Sequence, residues 1–263
     1  MRQGILWAAG GTGFTFLMTA LGAGTVFFFR GSVQAGLQRV FLGFAAGVMV
    51  AASVFSLLLP AMEEAEAAGV PGWQPAAGGF VVGIAFMLAL DRLLPHLHLN
   101  EQEPEGLPSG CRRTTLLVLA VTLHNIPEGM AVGLAFALAA QHGDPGALSA
   151  AWALALGMGI QNFPEGAAIS LPLRQAGFSR WRAFRNGAAS GAVEPVFGIL
   201  VAASAGSVQP LMPWLLAFAA GAMLYVVVEE LIPEANLGQH SHSGTLGVMA
   251  GFLVMMVLDT ALG

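Results

Sequence analysis

The sequence predicts an all-α integral membrane protein of eight transmembrane helices, in which helices 1–3 recur inverted as helices 6–8 around two kinked central helices. Three observations carry this reading. Hydrophobic residues fill 56% of the 263 positions and charged residues 10%, whereas a soluble domain carries charge at about a quarter of its positions. Most of the surface must therefore face something other than water. Eight long apolar stretches approach or exceed the ~20 residues that a helix needs to cross the hydrocarbon core. None alternates strictly, which argues against barrel strands. Finally, short phrases recur between the two halves of the chain.

The first stretch, about 4–29, is preceded only by Arg2 and is too long for the apolar core of a signal peptide. The second, 38–61, contains FAAGVM at 44–49 and then Pro60. The third, 77–95, holds GIAFMLALD at 83–91. The fourth, 114–140, and the fifth, 147–172, carry a shared N-P-E-G element. The sixth, 183–206, contains Glu194 followed by Pro195. The seventh, 210–232, repeats the second with FAAGAM at 218–223 and then Pro233. The eighth, 244–262, repeats the third with GFLVMMVLD at 251–259. Alternate helices run in opposite directions, so the repeat is inverted, an arrangement frequent in secondary transporters. Connections this short leave no room for a soluble domain, and 1–263 reads as one membrane domain. The stretch EQEPE at 101–105 is most simply disordered, and Cys111 is a single thiol without a disulfide partner in the chain.

Charge sets the orientation. All ten basic residues are arginines. With the N-terminus outside, Arg30, Arg39, Arg92, Arg112, Arg113, Arg174, Arg180, Arg182 and Arg185 lie in or beside cytoplasmic loops, and only Arg2 lies outside. Both termini are expected outside the cytoplasm, in a multi-pass protein of the cell inner membrane. The net charge of −5 gives no reason to expect nucleic acid as a partner.

A polar cluster interrupts the central helices. VTLHNIPEGMAVG places His124, Asn125 and Glu128 deep in the fourth, and GIQNFPEGAAIS places Gln161, Asn162 and Glu165 at matching depth in the fifth. Glu194 adds a third intramembrane carboxylate. Each ionisable group at such depth costs about 3 kcal/mol on insertion scales, so these groups require a partner. His124 and Glu128 are four apart, as are Gln161 and Glu165, so each pair shares a helix face. Each proline kinks its helix and frees carbonyls. The following Gly129 and Gly166 permit close helix approach. Imidazole, carboxylate and amide donors without thiolate suit Zn²⁺, Cd²⁺, Fe²⁺ or Mn²⁺. Mixed ligands also suit a site that must release its ion, unlike a closed tetrahedral trap. A structural hydrogen-bond network and a metal-free proton pathway are the competing readings of the same residues.

With HNIPEGMAVG and QNFPEGAAISLPLR in view, the chain resembles the ZIP (Zrt/Irt-like) family of divalent-metal transporters over essentially all eight helices, and its GufA-like branch in the second phrase. The resemblance implies import of divalent ions, chiefly Zn²⁺, into the cytoplasm. It implies a primary metal site from His124, Glu128, Gln161 and Glu165, with Met49 as a soft axial ligand. A second site would draw on Asn125, Asn162 and Glu194, bridged by Glu128 and Glu165. Some relatives carry an acidic residue at the position of Asn162, so the second site here has less negative charge. An elevator-like cycle is implied, with helices one, four, five and six sliding against two, three, seven and eight. Asp91, His96, His98, Glu229 and Glu230 would relay the ion toward the cytosol, although the histidines are equally readable as solvated loop residues. Asp91 and Asp259, at equivalent repeat positions, are alternatively hydrogen-bonding partners of neighbouring helices. Glu63 would attract cations at the outer entrance. No catalytic cofactor is expected, and family members often pair as homodimers. The rival readings are a metal-binding membrane sensor, a membrane-embedded zinc hydrolase and an exporter, since motifs do not encode direction. Against the hydrolase, only His124 lies within the membrane and no HExxH occurs.

Overall fold

A computed structural model describes residues 2–28, 35–96, 106–107, 113–143, 145–205, 209–236 and 242–262. They form eight helical runs and, among the described residues, no strand. α1 spans Arg2–Gly24 and closes with a 3₁₀ turn at Thr25–Phe27. α2 runs from Ala35–Ala52 through a π turn at Ser53–Leu58 into Leu59–Ala67. α3 is Trp73–Leu93, α4 Arg113–His142 and α5 Pro145–Gln175. α6 breaks at Ala192, between Arg180–Gly191 and Val193–Ala205. α7 joins Met212–Val226, a π turn at Val227–Leu231 and Ile232–Asn236. α8 is Ser243–Leu262.

Each predicted stretch is thus a helix. Among the described residues, seven of the eight are long and apolar enough to cross a membrane. The exception is α5. It has the length, but Gln161, Asn162, Glu165 and the surrounding small residues hold its hydropathy down. Its buried face carries Gln161 and Asn162, while Trp152, Leu156, Ile160 and Phe163 stay exposed on the other.

The packing divides the helices into two groups. α1, α4, α5 and α6 pack on one another; α2 packs along α8 and α3 along α7, with α2 and α7 joining those two pairs. The pairs are close because backbone meets backbone. A Cβ added at Gly47 would lie 2.0 Å from the Val248 carbonyl oxygen, and one at Gly83 would lie 2.1 Å from that of Phe218. These pairs are also pinned by polar contacts. Ser56 Oγ donates to Asp259 at 2.8 Å, and the Tyr225 hydroxyl donates to Asp91. The two groups meet where α4 faces α7 and where α5 faces α2 and α8.

The π turns of α2 and α7 each lie just ahead of a proline, Pro60 and Pro233. Proline has no N–H to give the carbonyl one turn back, so the helix widens there rather than closing a regular turn. Large apolar side chains such as Leu6, Val81, Leu200 and Leu253 remain exposed on α1, α3, α6 and α8. They form an outer surface suited to acyl chains.

Candidate metal site

The site grows from α4 and α5, which carry Pro127 and Pro164 within their helical runs. Each proline precedes a glutamate and a glycine. Close packing follows at both glycines: a Cβ on Gly129 would lie 2.5 Å from the Glu194 backbone, and one on Gly166 would lie 2.0 Å from the Thr19 carbonyl oxygen. The first contact brings α4 onto α6 and the second brings α5 onto α1. Both prolines therefore stand beside a helix crossing that fixes their neighbouring carboxylates.

A cavity of about 180 Å³ lies between α2, α4, α5 and α7. Met49, His124, Glu128, Gln161, Glu165 and Glu230 all line it. The four residues assigned to the primary site by resemblance thus share one space, with Met49 beside them. The cavity continues past Gln38, Gln175 and Glu234 toward the ends of α2, α5 and α7. Gln161 Nε2 donates to Glu128 Oε1 at 2.6 Å. The other buried oxygens of this pair, Glu128 Oε2 and Gln161 Oε1, have no hydrogen-bond partner among the described residues. Buried polar atoms are normally satisfied, so these two oxygens are acceptors in want of a cation or a donor.

Behind the cavity lies a second polar cluster. Asn162 Nδ2 donates to Glu194 Oε2 at 2.9 Å, and Thr19 Oγ1 donates to Glu194 Oε1 at 3.2 Å. Asn162 Nδ2 also lies 3.5 Å from the Thr15 carbonyl oxygen. Glu194 occupies the first turn of the second half of α6, where the helix dipole favours negative charge. Gln161 Nε2, 3.4 Å from Asn162 Oδ1, connects the two clusters. Asn125 is fully buried, and neither of its amide atoms has a partner among the described residues. Among the described residues no three His, Cys, Asp or Glu side chains converge by themselves on one ion position. Amide oxygens and the methionine sulfur would have to complete any ligand set.

The remaining assigned residues separate. Glu230, read as part of an exit relay, lies against the site itself, with its Oε2 2.5 Å from His124 Nε2. Glu229 is exposed and faces away. Asp91 and His96 do not line the cavity. Asp91 accepts from Tyr225, and His96 Nε2 lies 3.7 Å from Asp91 Oδ1 while its Nδ1 donates to the Leu94 carbonyl at 2.8 Å. His98 lies outside the described residues. Glu63 is exposed at the end of α2. Sequence reasoning missed Glu234, Thr15 and Thr19. Glu234 is four residues after Glu230, a spacing that places both on one face. Thr12, Thr15 and Thr19 follow the same helical spacing and are all buried.

Residues 98–259 match the family described as ZIP Zinc transporter. The chain is 39% identical to human "Zinc transporter ZIP11" across 96% of each protein. It is 40% identical to "Zinc transporter ZIPB" of Bordetella bronchiseptica, over 94% of this chain and 79% of that one. It is 41% identical to "Zinc transporter GufA" of Myxococcus xanthus, over 80% and 81% respectively. Likeness of this extent, spanning both central motifs and the helices around them, settles the family: the chain belongs to the ZIP zinc transporters, which are membrane carriers and not enzymes.

Proposed function

We propose that this chain imports divalent metal ions, Zn²⁺ foremost, across the cell inner membrane into the cytoplasm. The single observation that carries the reading is the cavity in which His124, Glu128, Gln161, Glu165 and Met49 converge around two unsatisfied buried oxygens. Carboxylates at mid-membrane depth are expensive unless neutralised, and a passing cation neutralises them. The names of the relatives make zinc the first candidate, and the donor set also accommodates Cd²⁺, Fe²⁺ and Mn²⁺.

All eight helices are taken to span the bilayer, α5 turning the exposed stripe of Trp152, Leu156, Ile160 and Phe163 toward lipid. The inverted relation of helices 1–3 to 6–8 is supported by matching partners: α2 with α8 answers α7 with α3, and α1 with α5 answers α6 with α4. The π turns before Pro60 and Pro233 add a second correspondence. The division into two groups favours an elevator cycle, in which α1, α4, α5 and α6 carry the ion past α2, α3, α7 and α8. With the arginine-rich loops in the cytoplasm, both termini lie outside and the cavity faces inward through Gln38, Gln175 and Glu234. Ion release is then toward the cytosol. His124 must exchange partners during the cycle, taking the ion when it leaves Glu230 and returning to Glu230 afterwards. Glu194 with Asn162, Asn125 and Thr19 forms the adjoining second position, less acidic than the first.

Zn²⁺ flux into proteoliposomes, compared across a panel of divalent ions, tests the reading. Glu165→Ala should reduce flux to the level of empty vesicles while leaving the protein's elution and thermal unfolding in detergent unchanged. Parental flux in that variant would remove Glu165 from the pathway, and absence of flux in the parent would remove the transport reading itself.

A further inference from the structure

The structure carries a second imidazole–carboxylate contact across the boundary between the helix groups. His142, the last residue of α4, places Nε2 2.6 Å from Oε1 of Glu64, near the end of α2. It stands about 27 Å along α4 from His124, at ~1.5 Å rise per residue. α4 thus reaches the other group at Glu230 of α7 beside the cavity and at Glu64 of α2 at the end remote from the cavity mouth. The tie is local, since the last turns of α2 and α4 share almost no other contact. The pair is also accessible: His142 is 46% and Glu64 25% exposed, so water and protons reach it directly.

We propose that the His142–Glu64 pair is a latch that holds the outer ends of the two helix groups together and opens in each cycle. The proposal rests on the elevator reading above. Closure at this end goes with the cavity's opening at the other, so the latched arrangement is the inward-facing one. The contact joins the last turn of α4 in one group to the last turns of α2 in the other, so it must break if the two groups slide past one another.

The test reads the gap directly. Spin labels are attached through Glu63→Cys and Gln141→Cys in the full chain carrying Cys111→Ser, reconstituted in vesicles without zinc. The distance distribution should contain a near and a far population. Adding His142→Gln, or separately Glu64→Gln, should lower the near-to-far ratio about two- to five-fold, the range expected of a partly exposed pair, and combining the two should do no more than either alone. A ratio unchanged by either substitution overturns the latch, as does a single distance in every variant. Because this readout needs no ion flux, its failure is distinct from failure of the transport reading. A parent that shows the latch but no Zn²⁺ flux overturns the latter alone.

Discussion

At the scale of single residues, the site depends on side chains that are absent as much as on those present. Gly129 and Gly166 follow Glu128 and Glu165, and each lets a neighbouring backbone approach to a distance that a methyl group would forbid. The obstruction in both cases is backbone, Glu194 and Thr19 respectively, which cannot rotate away. Overpacking of this kind typically costs about 1–3 kcal/mol. Gly166→Ala and Gly129→Ala should therefore lower the thermal unfolding temperature and displace the adjacent carboxylates, with flux falling alongside. Gly13→Ala is the matched control, because a Cβ there meets nothing within 4 Å. Thermal unfolding of the three variants in one detergent checks the contrast, and equal losses at Gly13 and Gly166 would refute it. The residues themselves were legible in sequence to different degrees. The spacing of His124 with Glu128 and of Gln161 with Glu165 placed each pair on one face, and all four line the cavity. The contact of Glu230 with His124 was not legible, because it is made between two helices far apart in the chain and depends on how α4 lies against α7. The same holds for Thr19, whose hydroxyl has meaning only once Glu194 is beside it.

At the scale of elements, hydropathy located all eight helices because apolar length is a local property. The signal is weakest at α5, where Gln161, Asn162 and Glu165 lower the apolar character of the helix. Prolines hinted at irregularity without revealing its form. Pro60 and Pro233 follow π turns, while Pro127 and Pro164 lie within helices that continue past them. The distinction depends on whether packing allows the helix to widen, which the sequence does not state. The role of Pro164 can be isolated. Its ring removes a backbone hydrogen bond and frees a carbonyl one turn earlier, close to the cavity it lines. Pro164→Ala should restore that bond and straighten α5, moving Gln161 relative to Glu165. The expected result is unchanged or higher thermal stability with Zn²⁺ flux reduced at least ~10-fold, since an ångström-scale misplacement of functional groups suffices for losses of that order. Stability and flux falling together would instead mean that the proline serves packing.

At the scale of the whole molecule, glycine–carbonyl seams run inside each helix group, and a glycine–methionine contact crosses between the groups. Three seams within a group set glycine against a carbonyl oxygen: Gly47 meets Val248, Gly83 meets Phe218 and Gly166 meets Thr19. Such seams are rigid, because neither side has a torsion that relieves a clash. Across the boundary, Gly157 of α5 faces the Met255 sulfur of α8, 2.2 Å from where a Cβ would sit, and more loosely Val48 of α2 at 3.6 Å. Methionine is unbranched and adaptable, able to refill a changed space by rotation. A boundary surfaced this way tolerates relative movement, whereas a glycine–carbonyl seam does not. Gly157→Ala separates the two properties. Met255 can turn aside at rest, so thermal stability should fall by less than about 1 kcal/mol, below the cost of an unrelieved overpacked site. In the proposed elevator cycle the added methyl would pass α8 repeatedly, so Zn²⁺ flux should fall several-fold while Zn²⁺ binding measured by equilibrium dialysis stays at the parental level. Gly166→Ala should show the opposite balance, with stability lost first. If Gly157→Ala destabilises the protein as much as Gly166→Ala does, the boundary is another rigid seam and the two groups do not move as separate bodies.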